Sequence, residues 1–376
     1  LQFADKALPV STRDKEGVLA VAKAERVDAI TYMITESPLR AIRHVADVLG
    51  FSAPSHKSVA ATVSKVKMRG IFRATGLPNP KFGRASTIEE GLILAEEIGL
   101  PLVMKPADLG GQIGLFKITR LSDVPRCFAI AKRASVGESV ILEEMMEGLE
   151  VNVVAIVIEG KIEVMTVSDR IKHPSEAFGI VMRHLFPSCC STETLMEVRD
   201  ICQRAVTAME VKNGIIFPQL ILTSEGPRIA EIGERIPGGV MKELFEFATG
   251  YDLVKLQLDI ALGEGLQPLG WYQDYPTYPA ITVKFLTADP GPLKPGKVVE
   301  GLGQEKALAL DCIVNAQFYN DPTKPQEIRP LREARDRFFQ IIAVGDTREQ
   351  AIACSERATE LLGFLNTEGH SLKIGG

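Results

Sequence analysis

Long apolar runs are missing from this chain. No stretch of its 376 residues approaches the roughly eighteen consecutive apolar positions of a membrane-crossing helix, and no charged-then-apolar leader opens it. Positive charge is also short. With 43 Lys and Arg against 48 Asp and Glu the net charge is -5, and no basic run offsets it, which argues against nucleic acid or an anionic membrane as partner. Six cysteines (Cys127, Cys189, Cys190, Cys202, Cys312 and Cys354) show no metal-ligand spacing and are too few for a disulfide framework. Free thiols in a reducing, cytoplasmic compartment are expected. No GxGxxG follows any strand-length run, which disfavours a dinucleotide-binding oxidoreductase. Internal repeats and low-complexity stretches are absent too. What remains is an average globular composition, 45% hydrophobic and 24% charged, on a chain long enough for two or three domains.

Apolar periodicity gives the order of elements. DAITYM (28–33) reads as a strand between two helical patterns, the second starting near Pro38 and ending at Gly50. That alternation predicts a covered parallel sheet, with its opening β-α unit not represented in the sequence. SVAATVSKVKMRGIFRATG (58–76) reads as one helix, closed by the proline-rich LPNPKF. A smaller α/β unit follows to about residue 145. Beyond it, VNVVAIVIEGKIEVMTVSD predicts a hairpin about Glu159-Gly160, and a long helix is expected over 192–210. Strands GIIFPQLILT and PRIAEI, two helices, a strand-rich stretch from about 280 to 343 and a closing helix complete the chain.

Four stretches could carry chemistry, and each also has an ordinary explanation. In PLVMKPADLGGQIGLFKI, Lys105 ends a strand beside a turn whose Gly110, Gly111 and Gly114 leave backbone N–H groups open to phosphate oxygens. A hairpin with a surface lysine accounts for it as well. In VILEEMMEGLEVNV, backbone at Glu144–Met146 could edge an adenine, Glu143 could accept from its amine, and Glu150 could accept from ribose. A solvated turn competes with that reading. Lys65 and Arg69 lie one helical turn apart in SKVKMRG, as on many solvated faces. In PRIAEIGERIPGG, Glu231 could hold magnesium, Arg235 could meet a γ-phosphate, and Gly238 and Gly239 could offer N–H groups to an anionic substrate. A strand ending in a solvated turn is the plainer alternative. Between the hairpin and the long helix, Arg170, His173, Arg183 and His184 could receive a carboxylate or phosphate, or form a basic surface loop.

The order of these four stretches resembles the ATP-grasp superfamily, in its carboxylate–amine ligase and carbamoyl-phosphate-synthase-like branch. The likeness runs from the ADK of residues 4–6 to about residue 362. It implies an α/β and α+β architecture. A pre-ATP-grasp parallel α/β domain over 1–76, short of its first strand, is followed by a lid subdomain over 77–146. A metal and substrate subdomain over 147–280 and a β-rich domain with closing helix over 281–376 complete it. It also implies ATP with Mg2+ (or Mn2+), with Lys65 and Lys105 on phosphates and the 108–114 turn as lid. Glu143 and Met146 would meet adenine, Glu150 ribose, Glu231 the metal, and Arg235 the transferring phosphoryl group.

Three positions depart from the family pattern. Gln219 stands where many relatives carry a second metal carboxylate, Gly233 where many carry asparagine, and Ser64 where aspartate commonly precedes the helix lysine. Gln219 can lend an oxygen but no charge, so metal binding is expected to lean on Glu231 and Glu234. The implied activity is ADP-forming ligation of a small carboxylate to an amine. Alternatives are a purine-pathway or carboxylase-type relative, or a nucleotide-binding protein with little turnover. A homodimer is the default assembly of a symmetric soluble enzyme.

Overall fold

The computed structural model describes residues 4–108, 113–172, 179–264, 279–320 and 326–374. Its first elements are helices: α1 (Lys15–Glu25), α2 (Leu39–Leu49) and α3 (His56–Thr62). Gly50 closes α2 with φ +77, the left-handed cap that its position predicts. The stretch 28–33, expected as a strand, bends at Asp28 and has no ladder partner among the described residues. An extended segment becomes a strand only when a neighbour takes its N–H and C=O groups. This one is tied elsewhere: the Tyr32 hydroxyl donates to the Glu234 carbonyl at 2.6 Å, and the Ile34 N–H to Ile236 at 3.1 Å.

The single helix expected over 58–76 is two. Ser64 adopts extended backbone and its hydroxyl caps a new helix, α4 (Lys65–Ala74). Lys65 therefore begins a helix, and its N–H reaches across to the Ala107 carbonyl at 2.9 Å.

Strands β1 (Phe82–Ala85), β2 (Leu102–Pro106), β3 (Phe116–Ile118) and β4 (Val140–Glu144) form an antiparallel sheet in the order β1-β4-β2-β3. Helices α5 (Ile88–Ile98) and α6 (Val124–Ala134) cover one face, packing Ala95, Phe128 and Ala131 on Leu102, Met104 and Leu142. The alternate residues Val103, Lys105 and Glu143 lie on the other face.

The second sheet has eight antiparallel strands. It uses β5 (Leu149–Ile158), β6 (Lys161–Lys172), β7 (Val181–Phe186), β8 (Gly214–Thr223) and β9 (Gly226–Glu234), continuing through β10 (Ala280–Leu286). Two short ladders stand apart, joining β11 (Gly296–Val298) to β14 (Gln326–Ile328) and β12 (Glu300–Leu302) to β16 (Gly363–Leu365). Strands β13 (Ile313–Phe318) and β15 (Phe339–Gly345) complete the main sheet, in the order β13-β15-β10-β7-β6-β5-β8-β9. The strand-rich final third thus extends the same sheet. Glu159 and Gly160 turn the β5–β6 hairpin with φ +50 and +79, as the dipeptide predicts.

Helices α7 (Thr192–Met209) and α4 bury one face of this sheet, with Met68, Phe72 and Cys202 against Val151, Val153 and Ala155. Helices α8 (Met241–Thr249) and α9 (Leu253–Leu262) serve the other face, over Val154, Ile156 and Phe217. Helix α10 (Gln304–Leu308) and the closing α11 (Arg348–Leu361) pack near β13 and β15. Along β5 the second face changes character: Val154, Ile156 and Ile158 lie under the helices, Asn152 meets their edge at Met241, and Glu150 lies beyond their cover. A cavity opens where the apolar cover stops.

Cys312 and Cys354 form a disulfide, joining the approach to β13 with α11 across 42 residues. This corrects the expectation of six thiols; a separation that long carries no local sequence signal. No helix among the described residues is long and apolar enough to cross a membrane.

Gly148 lies between the two sheets at φ +150, and a Cβ there would sit 2.0 Å from the Leu222 carbonyl oxygen. The backbone of β8 cannot yield that space without losing its ladder. Gly148→Ala is therefore expected to cost about 2–3 kcal/mol, measured by urea unfolding. A change below about 0.5 kcal/mol would show that the hinge relaxes freely.

Candidate active site

The cavity has a volume of about 560 Å³ and lies between the two sheets. That is the size range of small-molecule sites. It gathers Lys65, Lys105, Glu143, Glu144, Met146, Glu150, Arg170, Gln219, Glu231, Arg235, Gly238 and Gly239, residues scattered over most of the chain.

Lys105 reaches it because β2 alternates, with Leu102 and Met104 buried on the helix side. Val103 faces Glu143 in the β2–β4 ladder, which makes Lys105 and Glu143 diagonal neighbours on one face. The ammonium lies 2.8 Å from Oε2 of Glu143. Glu143 also takes a two-pronged contact from Arg69, at 2.8 Å from Nε and 3.1 Å from Nη2. Burial alone would raise the Glu143 carboxyl, but Arg69 and Lys105 more than offset it and hold it at about 2. Burial lowers the Lys105 ammonium, and Glu143 partly restores it.

Arg69 was the residue least expected here. Instead of a solvated face it is wholly buried, and its guanidinium also donates to the carbonyls of Ile229 and Ala230, each at 2.6 Å. Those carbonyls flank a bulge in β9: Gln219 pairs with Glu231 but Leu220 with Ile229, leaving Ala230 unopposed. Spacing hinted at this, since Arg69 follows the buried Met68 within the same helix, but nothing local names its partners.

After the bulge, Glu231, Gly233 and Arg235 line the cavity. Glu231 receives Lys65 at 3.0 Å. Burial would raise its carboxyl, yet Lys65, Lys105 and Arg235 bring it down to about 2. Gln219, its ladder partner, lies beside it. Arg235 pairs with Glu36 and lies over the Phe217 ring at 5.6 Å.

Several expectations need correction. Glu234 points to the opposite side of β9 from Glu231, where the Ser58 hydroxyl donates to it, so it is no metal ligand. Burial pushes its carboxyl up to about 7 against the lowering effect of Ser58. Arg183 alternates away from the cavity and pairs with Glu356 of α11, beside Lys284. His184 does face the cavity but carries no charge: burial first, then Arg337 and Arg170, push its pKa well below the usual value. Its Nδ1 sits 3.1 Å from Asn152 Nδ2.

Glu143, expected at an adenine amine, has three contacts from Arg69 and Lys105 among the roughly four acceptor positions of a carboxylate. Glu150 pairs with Arg170 across the hairpin and with Lys172 at 2.5 Å. Glu144 accepts from the Lys81 N–H at 3.1 Å. Gly114 takes φ +69, while Gly110, Gly111 and His173 lie outside the described residues. Beyond Arg69, sequence reasoning missed Glu36, Asn152, Lys172, Tyr319 and Arg337, all on the cavity wall.

The donor set bears on a metal. Among the described residues no cluster of three His, Cys, Asp or Glu exists. Glu231 and Gln219 offer one carboxylate and one amide oxygen, which fits Mg2+ only if a phosphate supplies further oxygens.

Comparison with known proteins places this geometry in a class. The chain superposes on L-amino acid ligase from Bacillus licheniformis with TM-score 0.79 at 19% identity, over 96% of this chain and 86% of that one. Phosphoribosylglycinamide synthetase from Anaerococcus prevotii gives 0.74 at 17%, over 97% and 90%. The fold is ATP-grasp. Residues 65–269, more than half of the chain, match the family described as carbamoyl-phosphate synthase L chain, ATP binding domain, and the chain belongs to that family. The carbamoyl phosphate synthase large chain of Thermotoga neapolitana is 26% identical over 275 residues, 71% of this chain. The match spans only 24% of that relative's length.

Two outcomes check the site. Arg69→Ala leaves Glu143 short of its main partner and two carbonyls bare, an expected loss of about 3–5 kcal/mol in urea unfolding. For Glu234 the folded state binds its proton more tightly than the unfolded chain does. That stabilisation is complete below the ordinary carboxyl value and disappears as pH rises through about 7. Glu234→Gln, compared with the unaltered chain, should gain ~2–3 kcal/mol in relative stability between pH 5 and pH 8. Parallel pH profiles would mean the carboxyl titrates normally.

Proposed function

We propose that the chain is an ATP- and Mg2+-dependent ligase that activates a small carboxylate as an acyl phosphate for attack by an amine. One observation carries the reading: Lys65, Lys105, Glu231 and Arg235 share a single cavity although helix, first sheet and second sheet supply them separately.

In this reading Lys65 and Lys105 hold phosphate oxygens of ATP, and Glu144–Met146 edges the adenine. Glu143 keeps Lys105 aimed inward, and Glu150 retains acceptor positions for ribose beside Arg170 and Lys172. Glu231, with Gln219, would hold Mg2+, which when bound neutralises charge on the phosphates. Arg235 stabilises the transferring phosphoryl group. A carboxylate oxygen bonds to the γ-phosphorus as ADP leaves. The amine then bonds to the acyl carbon, phosphate departs, and the amine's proton passes to solvent. The chain divides in this reading at 76, 146 and 280, with the four-stranded sheet as lid and the eight-stranded sheet as floor.

Gln219 favours a second reading, nucleotide binding with little turnover, because an amide beside Glu231 leaves the metal one negative charge short. ADP release, followed with MgATP across a panel of carboxylates and amines, tests both. Lys105→Ala and Glu231→Gln are each expected to lower it on the order of a hundred- to a thousand-fold. If no pair elicits ADP while Gln219→Glu does, the second reading holds. Silence from both proteins would sink the ligase assignment.

A further inference from the structure

Among the described residues, every Lys and Arg on the cavity wall has a carboxylate partner except one. Lys65 has Glu231, Lys105 has Glu143, Arg170 and Lys172 share Glu150, and Arg235 has Glu36. Arg337, in the segment leading into β15, has no acid within ion-pair distance among the described residues, although it is 6% exposed. Its Nε donates to the Val181 carbonyl at 3.1 Å and Nη1 reaches the Tyr319 hydroxyl at 3.4 Å. The guanidinium lies over the Phe285 ring at 4.2 Å. Two of five donors are thus engaged, and the others have no partner among the described residues.

A guanidinium withdrawn from water without counter-charge is costly unless something completes it. Its neighbours do not: His184 is neutral, and neither Tyr319 nor Asn152 brings a carboxylate. The position along the cavity adds meaning. Burial lowers the Arg170 pKa first, Arg337 lowers it further and Glu231 raises it; on Arg337 burial acts first and only the Tyr319 phenol, not a carboxylate, works against it. In the sheet order β15-β10-β7-β6-β5-β8-β9, Arg337 enters before β15 and bonds Val181 of β7, so it lies further than Arg170 of β6 from Glu231 of β9.

We propose that Arg337, supported by Arg170, binds an anionic group, carboxylate or phosphate, at the end of the non-nucleotide substrate remote from its reacting group. This rests on the ligase reading and narrows it: the substrate has two functional ends, as a dicarboxylate or a phosphorylated acid or amine does. The flat fork of arginine suits either anion, because two parallel N–H donors match two oxygens. The stack on Phe285 fixes the plane of that fork before the substrate arrives.

The test is calorimetric titration of the full chain with succinate, with inorganic phosphate and with acetate, each with a non-hydrolysable ATP analogue and Mg2+ filling the triphosphate end. Succinate or phosphate should bind at least tenfold more tightly than acetate, and whichever of the two is tighter names the source of the anion. Arg337→Met should weaken that binding at least tenfold and leave the ATP analogue's affinity unchanged. Without ligand it should melt no lower than the unaltered chain, since it removes an uncompensated buried charge. Arg337→Lys, which keeps charge but loses the fork, should fall between, and it carries the test if the methionine variant does not fold.

Unchanged anion binding in either variant would overturn the proposal. So would a collapse of unliganded stability in Arg337→Met with anion affinity intact in Arg337→Lys, which would make the arginine structural. Should the ATP analogue fail to bind while the anion titration still depends on Arg337, the ligase reading falls and the anion site stands.

Discussion

A single buried guanidinium holds the two halves of the cavity in register. Arg69 rises from α4, grips Glu143 on the four-stranded sheet, and donates to the Ile229 and Ala230 carbonyls on the eight-stranded one. Each contact answers a need. Glu143 could not stay ionised at its depth without a cation, and the bulged carbonyls could not stay buried without a donor. Because Glu143 in turn holds Lys105, and the bulge sets which way Glu231 faces, the arginine governs two of the four groups assigned to phosphate and metal. Lys65, one turn earlier on the same helix, supplies a third.

The cavity is lined by pairs, acid against base, rather than by a field of one sign. That arrangement keeps its groups charged despite burial, as the low carboxyl values of Glu143 and Glu231 show. It also makes the exception informative. Arg337 comes, with Tyr319 and Ala334, from the final third of the chain, through strands that continue the main sheet, so that third reaches a site otherwise lined by residues 34 to 241.

Polarity along individual strands decides where the site lies. On β5 the side chains facing α8 and α9 are Val154, Ile156 and Ile158, while on the same face Asn152 meets the end of α8 and Glu150 lies past the helices. On β8, Ile215 and Phe217 give way to Gln219 in the same manner. Strand alternation chooses the face, and the length of the covering helices chooses how much of it stays open.

Much of this was legible locally. The Glu159-Gly160 hairpin, the Gly50 cap and the place of Lys105 at a strand end follow from backbone chemistry acting over a few residues. The order of lysine helix, glycine turn, glutamate hinge and Glu–Arg strand was enough to suggest the fold. What local chemistry could not decide was pairing across distance. Arg69 and Glu234 were both read as facing the wrong way, one as solvated and one as a metal ligand: strand alternation sets Glu234 opposite Glu231, and the partners of Arg69 come from two sheets distant in sequence. The strand at 28–33 lacked its neighbour, and the Cys312–Cys354 bond joins residues 42 apart. Sequence alone determined which short segments bend, cap and alternate, since those preferences act within a turn or two. Only tertiary structure determined which charge meets which, because burial and counter-charge are properties of the assembled core.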